Sequence, residues 1–115
     1  MGLARILVVE DPLIRRLIDG ILTRGGYAVV EAEPRRALEL LQDETERFEV
    51  LVTNAPELFV DCGPKVALLY VTSFPEPQWA EKFARCRILP KPFPPHQLLG
   101  LTQELLAVEQ ASGLP

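Results

Sequence analysis

Six polar residues that could build an ion-binding site follow apolar runs of the sequence. They are Glu10, Asp11, Asn54, Thr72, Ser73 and Lys91. Carboxylate and amide oxygens suit Mg²⁺, while a hydroxyl and an ammonium suit the oxygens of a bound oxyanion. In an open parallel sheet, ligands bind beyond the carboxyl ends of the strands. If the apolar runs are parallel strands, these side chains are therefore expected to share one pocket.

The elements needed to bring these residues together are indicated by the pattern of apolar residues. Short apolar runs predict strands at residues 6–9, 27–30, 50–53 and 66–71, and a fifth strand that ends at Leu89. Helical spacing predicts helices from Pro12 to a stop at Gly25-Gly26, at about 34–42, around Trp79, and at about 95–108. Because strands alternate with helices and are apolar on both faces, a doubly wound parallel α/β sheet is expected.

One crossover is too short for an ordinary helix. Residues 55–65 separate Asn54 from Val66, and they include Pro56, Gly63 and Pro64. A parallel crossover takes about a dozen residues or more when it contains a helix. We therefore expect the third helix to be truncated or absent, which would leave apolar sheet surface uncovered on one side. Such a patch is usually occupied, so self-association or a bound partner helix is expected there.

The composition excludes several classes of protein. The 115 residues carry a net charge of −4, without the basic surplus of a nucleic-acid-binding surface. The apolar runs are too short to cross a membrane, and the N-terminus lacks the features of a signal peptide. Cys62 and Cys86 have no CxxC spacing, which favours a reduced, cytoplasmic protein without a zinc site. One domain spanning residues 1–115 is expected.

Enzymatic chemistry is not indicated by the remaining residues. No Gly-rich loop follows the first strand, where two acidic residues would repel a phosphate. No serine or cysteine is matched with a histidine and an orienting group in a recognisable pattern. We expect His96 to lie on the surface, Trp79 and Phe83 to pack in the core, and Cys62 to be exposed in the shortened crossover.

From about residue 4 to residue 108, the sequence resembles the receiver domain of bacterial two-component response regulators. The segments that carry the resemblance are Arg5 to Asp11, Arg15 in the first helix, Gly26-Tyr27, and residues 37–41, 48–53, 71–74 and 89–93. The resemblance implies a flavodoxin-like sheet of strand order 2-1-3-4-5 and a Mg²⁺ ion held by Glu10 and Asp11. It also implies that Thr72 and Lys91 contact phosphoryl oxygens and that the peptide bond before Pro92 is cis.

The sequence also departs from the pattern of that family. Asn54 occupies the position of the phosphoacceptor aspartate, and its amide nitrogen is no nucleophile for phosphorus because the lone pair is delocalised. Loss of a carboxylate at this position weakens the expected Mg²⁺ site or abolishes it. Ile88 stands where the family carries an aromatic switch residue, and the loop after Asp11 is one residue short. The sequence is therefore similar to a degenerate receiver, or pseudo-receiver.

The expected function is that of a stand-alone, cytoplasmic signalling module in a phosphorelay. It would act by contact with a histidine kinase, a phosphotransfer protein or another signalling protein, with a homodimer as a further possibility. No output domain is expected after the last helix, and neither nucleic acid nor a membrane is expected as a partner. Two alternatives remain: phosphorylation of a relocated acid such as Asp61, and a small-ligand-binding module of flavodoxin-like fold.

Each site residue also has a plain structural role open to it. Asp11 can cap the first helix, Asn54 can cap the loop that follows it, and Thr72 and Ser73 can bond to nearby backbone. Lys91 has only two carboxylates left to attract it. A salt bridge between Lys91 and Asp11 is therefore expected in the metal-free protein.

Overall fold

Five parallel strands form the centre of the protein within residues 3–112, the range that the structure describes. The structure is a computed structural model, and side chains are described for residues 3–107. The strands are β1 (Arg5–Val9), β2 (Ala28–Glu31), β3 (Val50–Thr53), β4 (Ala67–Thr72) and β5 (Cys86–Pro90). They form one sheet in the order β2-β1-β3-β4-β5, with every neighbouring pair parallel. This is the flavodoxin-like topology predicted from the sequence.

Four α-helices and one 3-10 segment complete the described part of the chain. They are α1 (Pro12–Arg24), α2 (Pro34–Gln42), the 3-10 segment (Pro56–Lys65), α3 (Pro77–Ala80) and α4 (Pro95–Ser112). The third crossover, described throughout, holds no α-helix, as predicted; its 3-10 segment is interrupted at Phe59, where φ is −124° and ψ is 16°. The fourth crossover is also reduced, because α3 is a single turn of 4 residues. The two longest helices are α1, which lies between β1 and β2, and α4, which follows β5.

Two strands begin one residue later than the apolar runs indicated, and backbone hydrogen bonds explain both shifts. The Tyr27 N–H donates to the Leu22 carbonyl oxygen (3.2 Å) at the end of α1, so β2 starts at Ala28. The Val66 N–H donates to the Gly63 carbonyl oxygen (3.3 Å) at the end of the 3-10 segment. In each case the first apolar residue completes the preceding element before the strand begins.

Helix α1 ends where the glycine pair predicted. The Gly26 N–H donates to the Thr23 carbonyl oxygen (3.1 Å), and the bond from Tyr27 to Leu22 closes the wider ring of a Schellman motif. Gly26 has a φ of 96°, a left-handed conformation that favours glycine. The motif turns the chain directly into β2, which pairs with β1 from Ala28 onwards.

One face of the sheet is covered by α1 and α4. Alternate residues of the strands point to this face, as the period of two requires. The buried side chains of this cluster are Ile6, Val8, Ile18, Ile21, Leu22, Val50, Val52, Ala67, Leu69, Val71, Leu89, Leu98 and Leu105. Their burial fixes the start of α1 and the loop before α4 relative to the carboxyl ends of the strands.

The opposite face is covered by α2 and the 3-10 segment, so the expectation of an uncovered apolar surface is wrong. Phe59 is fully buried, and it belongs to one cluster with Leu51 and Leu68 of the sheet. Phe83, which follows α3, is buried in the same cluster. A 3-10 segment thus brings a large aromatic side chain onto the sheet without an α-helix. The chain's own α2 and 3-10 segment therefore occupy the face where self-association was expected.

The two reduced crossovers contact each other backbone to backbone at Gly63. The Gly63 carbonyl oxygen accepts a hydrogen bond from the Ala84 N–H (2.9 Å), between α3 and β5. A Cβ atom at position 63 would overlap the carbonyl oxygen of Lys82 and lie 3.3 Å from the Cα atom of Phe83. Only glycine fits this approach, so the packing of the shortened second face depends on it.

We predict that Gly63→Ala lowers the free energy of unfolding by about 1–3 kcal/mol, because backbone atoms of the two crossovers must move apart. Gly20→Ala is the matched control. A Cβ at this position of α1 has nothing within 4 Å, and helix propensity predicts a gain of about 0.5–1 kcal/mol. Urea unfolding followed by circular dichroism measures both variants. Equal effects at the two positions would contradict the close approach at Gly63.

Candidate functional site

The carboxyl ends of four strands bring the predicted site residues to one edge of the sheet. The register of β1 and β3 places Glu10 and Asn54 at the same level, immediately after the last paired residues. The backbone N–H of Lys91 donates to the Thr72 carbonyl oxygen (3.1 Å), which joins the ends of β4 and β5. The polar residues of the sequence thus converge at this edge, although their side chains have different surroundings.

The centre of the site is an ion pair between Glu10 and Lys91. The Lys91 Nζ atom lies 3.0 Å from Glu10 Oε2; the Glu10 side chain is 0% exposed and that of Lys91 is 23% exposed. Glu10 Oε1 accepts a hydrogen bond from the Asp11 backbone N–H (3.0 Å). Oε2 lacks a partner of full hydrogen-bond geometry, so its contact with the ammonium is mainly one of charge. A buried carboxylate requires such compensation, because an unpaired charge is costly away from water.

The expected salt bridge between Lys91 and Asp11 is therefore wrong, and burial explains the difference. Asp11 is exposed, and water already solvates its carboxylate, whereas Glu10 is buried. An ammonium gains more by pairing with the carboxylate that has lost its solvation.

Asp11 has the position of a helix cap but not the expected side-chain role. It is the residue before α1, with φ −55° and ψ 145°, and its side chain makes no capping hydrogen bond. Its backbone carbonyl accepts the Arg15 N–H (2.7 Å), so the main chain alone starts the helix. The Asp11 carboxylate consequently faces solvent at the edge of the site.

The end of β3 is organised by Thr53 rather than by Asn54. Thr53 is fully buried, and its Oγ1 accepts a hydrogen bond from the Ala55 N–H (3.1 Å). Asn54 is exposed, and the N–H of Ala55 at the start of the following loop is bound by the Thr53 hydroxyl rather than by the Asn54 side chain. Sequence reasoning missed Thr53. Its role could have been predicted from the sequence, because a threonine at a strand end often accepts a hydrogen bond from the backbone N–H two residues later.

Thr72 has the local role that its residue type allows. Its Oγ1 accepts a hydrogen bond from the Phe74 N–H (3.1 Å), as expected for a hydroxyl at a strand end. Ser73 is exposed. The Lys91–Pro92 peptide bond is cis, as the resemblance implies. Ile88 is 36% exposed on β5, the edge strand of the sheet.

The residues present do not fit a Mg²⁺ site in this arrangement. Within the described residues, no group of three or more His, Cys, Asp or Glu side chains is placed to hold a metal ion. The buried oxygen of Glu10 is in contact with an ammonium, and Asn54 offers only a neutral amide. Hard divalent cations need several oxygen ligands, of which carboxylates are the strongest.

Other residues with possible chemistry lie outside this cluster. His96 is exposed at the start of α4, as expected, and Asp61 is exposed on the 3-10 segment. Phe83 is buried as predicted, but it lies beyond the end of α3. Trp79 is only partly buried, and its Nε1 donates to the Glu76 carboxylate (2.7 Å). The indole therefore fixes the short α3 turn rather than filling the core.

Burial lowers the reactivity of both cysteines: Cys62 is buried and Cys86 is partly buried. Cys62 is 6% exposed, so the expectation of an exposed thiol is wrong; the 3-10 segment turns it inward. Burial and the nearby Asp61 carboxylate raise the pKa of the Cys62 thiol, although Lys65 acts in the opposite direction. Burial raises the pKa of Cys86 to about 11. Neither thiol is a ready nucleophile near neutral pH.

Solved structures of receiver domains share this fold. The chain is 23% identical to chemotaxis protein CheY4 of Vibrio cholerae, with a TM-score of 0.70 over 90% of this chain and 99% of that chain. It is 24% identical to a CheY-like receiver domain protein of Methanospirillum hungatei, with a TM-score of 0.75 over 97% and 100% of the two chains. A response regulator receiver protein of Sinorhizobium medicae is 21% identical, with a TM-score of 0.75 over 92% and 96%. The chain therefore has the fold of a response-regulator receiver domain.

Sequence comparisons add no closer relationship. No protein-family model matches the chain, and no curated protein matches it significantly. Within the described residues, none of the helices has the length and apolar character needed to cross a membrane. The receiver fold is thus shown by similar structures, and no sequence match assigns a role to the individual site residues.

We predict that both thiols of the folded protein react slowly with iodoacetamide at neutral pH and rapidly after unfolding. In Cys62→Ser, which leaves Cys86, the rate should rise roughly tenfold per pH unit while the pH stays below 11, the approximate pKa. The sign follows because only the thiolate reacts and its fraction grows with pH. Mass spectrometry measures the labelling, and circular dichroism confirms that the protein stays folded. A rate that levels off near pH 9 would contradict the raised pKa.

Proposed function

We propose that this protein is a receiver-type signalling module that acts by protein contact and is not phosphorylated at Asn54. The observation that carries the proposal is the set of side chains at the edge of the sheet formed by the carboxyl ends of the strands, here called the carboxyl edge. Asn54 is exposed and carries a neutral carboxamide instead of an anionic carboxylate, and Lys91 is paired with the buried Glu10. A neighbouring base could activate a hydroxyl or a thiol but would not make a carboxamide attack phosphorus.

The similar structures support a role in two-component signal transduction. Among them are a chemotaxis response regulator and the receiver domain of a hybrid histidine kinase, CckA, which has a TM-score of 0.72. A histidine kinase, a phosphotransfer protein or another signalling protein is accordingly the kind of partner that we propose. A homodimer remains a second form of contact.

Exposed apolar side chains near the carboxyl edge support the contact role. Leu13 is 86% exposed at the start of α1, and Phe74 is 85% exposed just after β4. Both follow strands that end at the site. Large apolar side chains on the surface contribute most where a partner removes them from water.

We also propose that Mg²⁺ binds this site weakly or not at all. A divalent cation would have to displace the Lys91 ammonium from Glu10, and it would gain only the exposed carboxylate of Asp11 as a further charged ligand. Each missing carboxylate reduces the affinity for a hard cation.

The test is intact-mass spectrometry after incubation with acetyl phosphate and Mg²⁺. We expect no phosphate adduct on the natural protein, because the position at the end of β3 is an amide. Asn54→Asp is run beside it. An adduct on this variant alone would show that the remaining site still assembles around an aspartate, and the contact role of the natural protein would stand.

An adduct on the natural protein would overturn the proposal. Asp61→Ala and His96→Ala then identify the acceptor, since both side chains are exposed. Loss of the adduct in Asp61→Ala would establish a relocated phosphoacceptor. That outcome is disfavoured because Asp61 lies seven residues beyond Asn54, within the 3-10 segment rather than at the strand end.

A further inference from the structure

The Glu10–Lys91 pair connects parts of the fold that are distant in the sequence. Glu10 follows β1 and Lys91 follows β5, and strands β3 and β4 lie between these two in the sheet. The Lys91 side chain therefore reaches across two strand ends to meet Glu10. At the other end of the pair, the Glu10 carboxylate accepts the N–H of Asp11 at the start of α1. One contact thus joins the start of α1 to the loop before α4.

We propose that Lys91 is the resident cation of this site and holds the carboxyl edge in one arrangement without a divalent cation. The proposal rests on the proposed function only in that Asn54 brings no negative charge to compete for the ammonium. The buried carboxylate of Glu10 needs a positive charge nearby, and in this chain the Lys91 side chain supplies it in place of Mg²⁺.

The burial of Glu10 makes this ammonium necessary. The Glu10 side chain is 0% exposed; its Oε1 accepts the Asp11 N–H, and its Oε2 contacts the Lys91 ammonium. Removal of one member of a buried pair leaves an uncompensated charge, which destabilises far more than loss of an exposed pair. Lys91 retains 23% exposure, so its ammonium keeps part of its hydration while it neutralises Glu10.

The charges at the site also explain why a side chain suffices. Glu10 and Asp11 supply the two carboxylates, and Lys91 supplies one positive charge. The buried carboxylate is neutralised locally, and the exposed one is stabilised by water. A divalent ion would need both carboxylates turned towards it, and the contact between Lys91 and Glu10 keeps the buried one occupied.

Thermal unfolding with and without millimolar Mg²⁺ tests the proposal. For the natural protein we expect Mg²⁺ to change Tm by less than about 1 °C. Lys91→Met should lower Tm by roughly 5–10 °C, because Glu10 loses its counter-charge. Mg²⁺ should then raise the Tm of Lys91→Met by about 3–5 °C, since a cation can now neutralise Glu10. Stabilisation of the natural protein by Mg²⁺ to the same extent would overturn the proposal.

Arg36→Met is the matched control for the change in net charge. Arg36 pairs with Glu39 at 3.1 Å on the surface, and both side chains are more than half exposed. Its loss should leave Tm nearly unchanged and should create no response to Mg²⁺. An equal Mg²⁺ response in Arg36→Met would show that the cation acts on overall charge, which would also overturn the proposal.

A double-mutant comparison identifies the partner. If Lys91 acts through Glu10, the decrease in Tm of Glu10→Gln/Lys91→Met is much smaller than the sum of the decreases in the two single variants. Lys91→Arg, which keeps the positive charge, should retain most of the stability. Additive losses would refute the pairing. Should Lys91→Met not fold, a folded Glu10→Gln/Lys91→Met would itself show the coupling, and an unfolded one would refute the pairing.

These outcomes are separate from those of the acetyl phosphate experiment. A phosphate adduct on the natural protein would defeat the proposed function whatever the Tm values show. A Tm of the natural protein that responds to Mg²⁺ without any adduct would defeat only the resident-cation proposal.

Discussion

The sheet is apolar on both faces, and the requirement to cover both of them shapes the rest of the protein. One face is covered by the two longest helices, α1 and α4. The other is covered by a nine-residue helix and a 3-10 segment, with Phe59 inserted against the sheet. Because both faces are used for packing, polar side chains converge at the edges of the sheet, and those of the candidate site lie at the carboxyl edge. The fold thus decides where chemistry or contact can take place.

The sequence contained most of the information on elements and topology. Apolar runs and helical spacing located the strands and the long helices, and the length of residues 55–65 indicated that a helix was missing. It did not reveal what replaces that helix. Covering the face depends on Phe59 reaching the sheet and on Gly63 lying against Lys82, contacts between segments distant in the chain. Residue patterns in the sequence report local spacing, whereas these contacts depend on three-dimensional packing.

The candidate site was predicted in position but not in detail. The residue types at the strand ends were sufficient to place Glu10, Asn54 and Lys91 at one edge. The choice of Glu10 over Asp11 as the partner of Lys91 depends on burial, since the two adjacent carboxylates have the same charge and opposite exposure. Sequence alone offers no measure of that difference at a strand–helix junction. The same limit explains why Thr53, a buried hydroxyl within an apolar run, was overlooked.

The charges of the residues at the carboxyl edge affect one another. An aspartate in place of Asn54 would compete with Glu10 for the Lys91 ammonium, and the outcome would depend on whether a cation or a phosphoryl group was bound. With a neutral amide there, Lys91 has one buried partner, and no competing charge at the end of β3 draws it away. A lysine paired with a buried carboxylate is less available to a bound phosphoryl group, because its departure would leave the carboxylate uncompensated. A surface held in one arrangement by its own side chains can present the same contacts continuously. A neutral amide at position 54 and a lysine paired with Glu10 are therefore both compatible with the proposed function by contact.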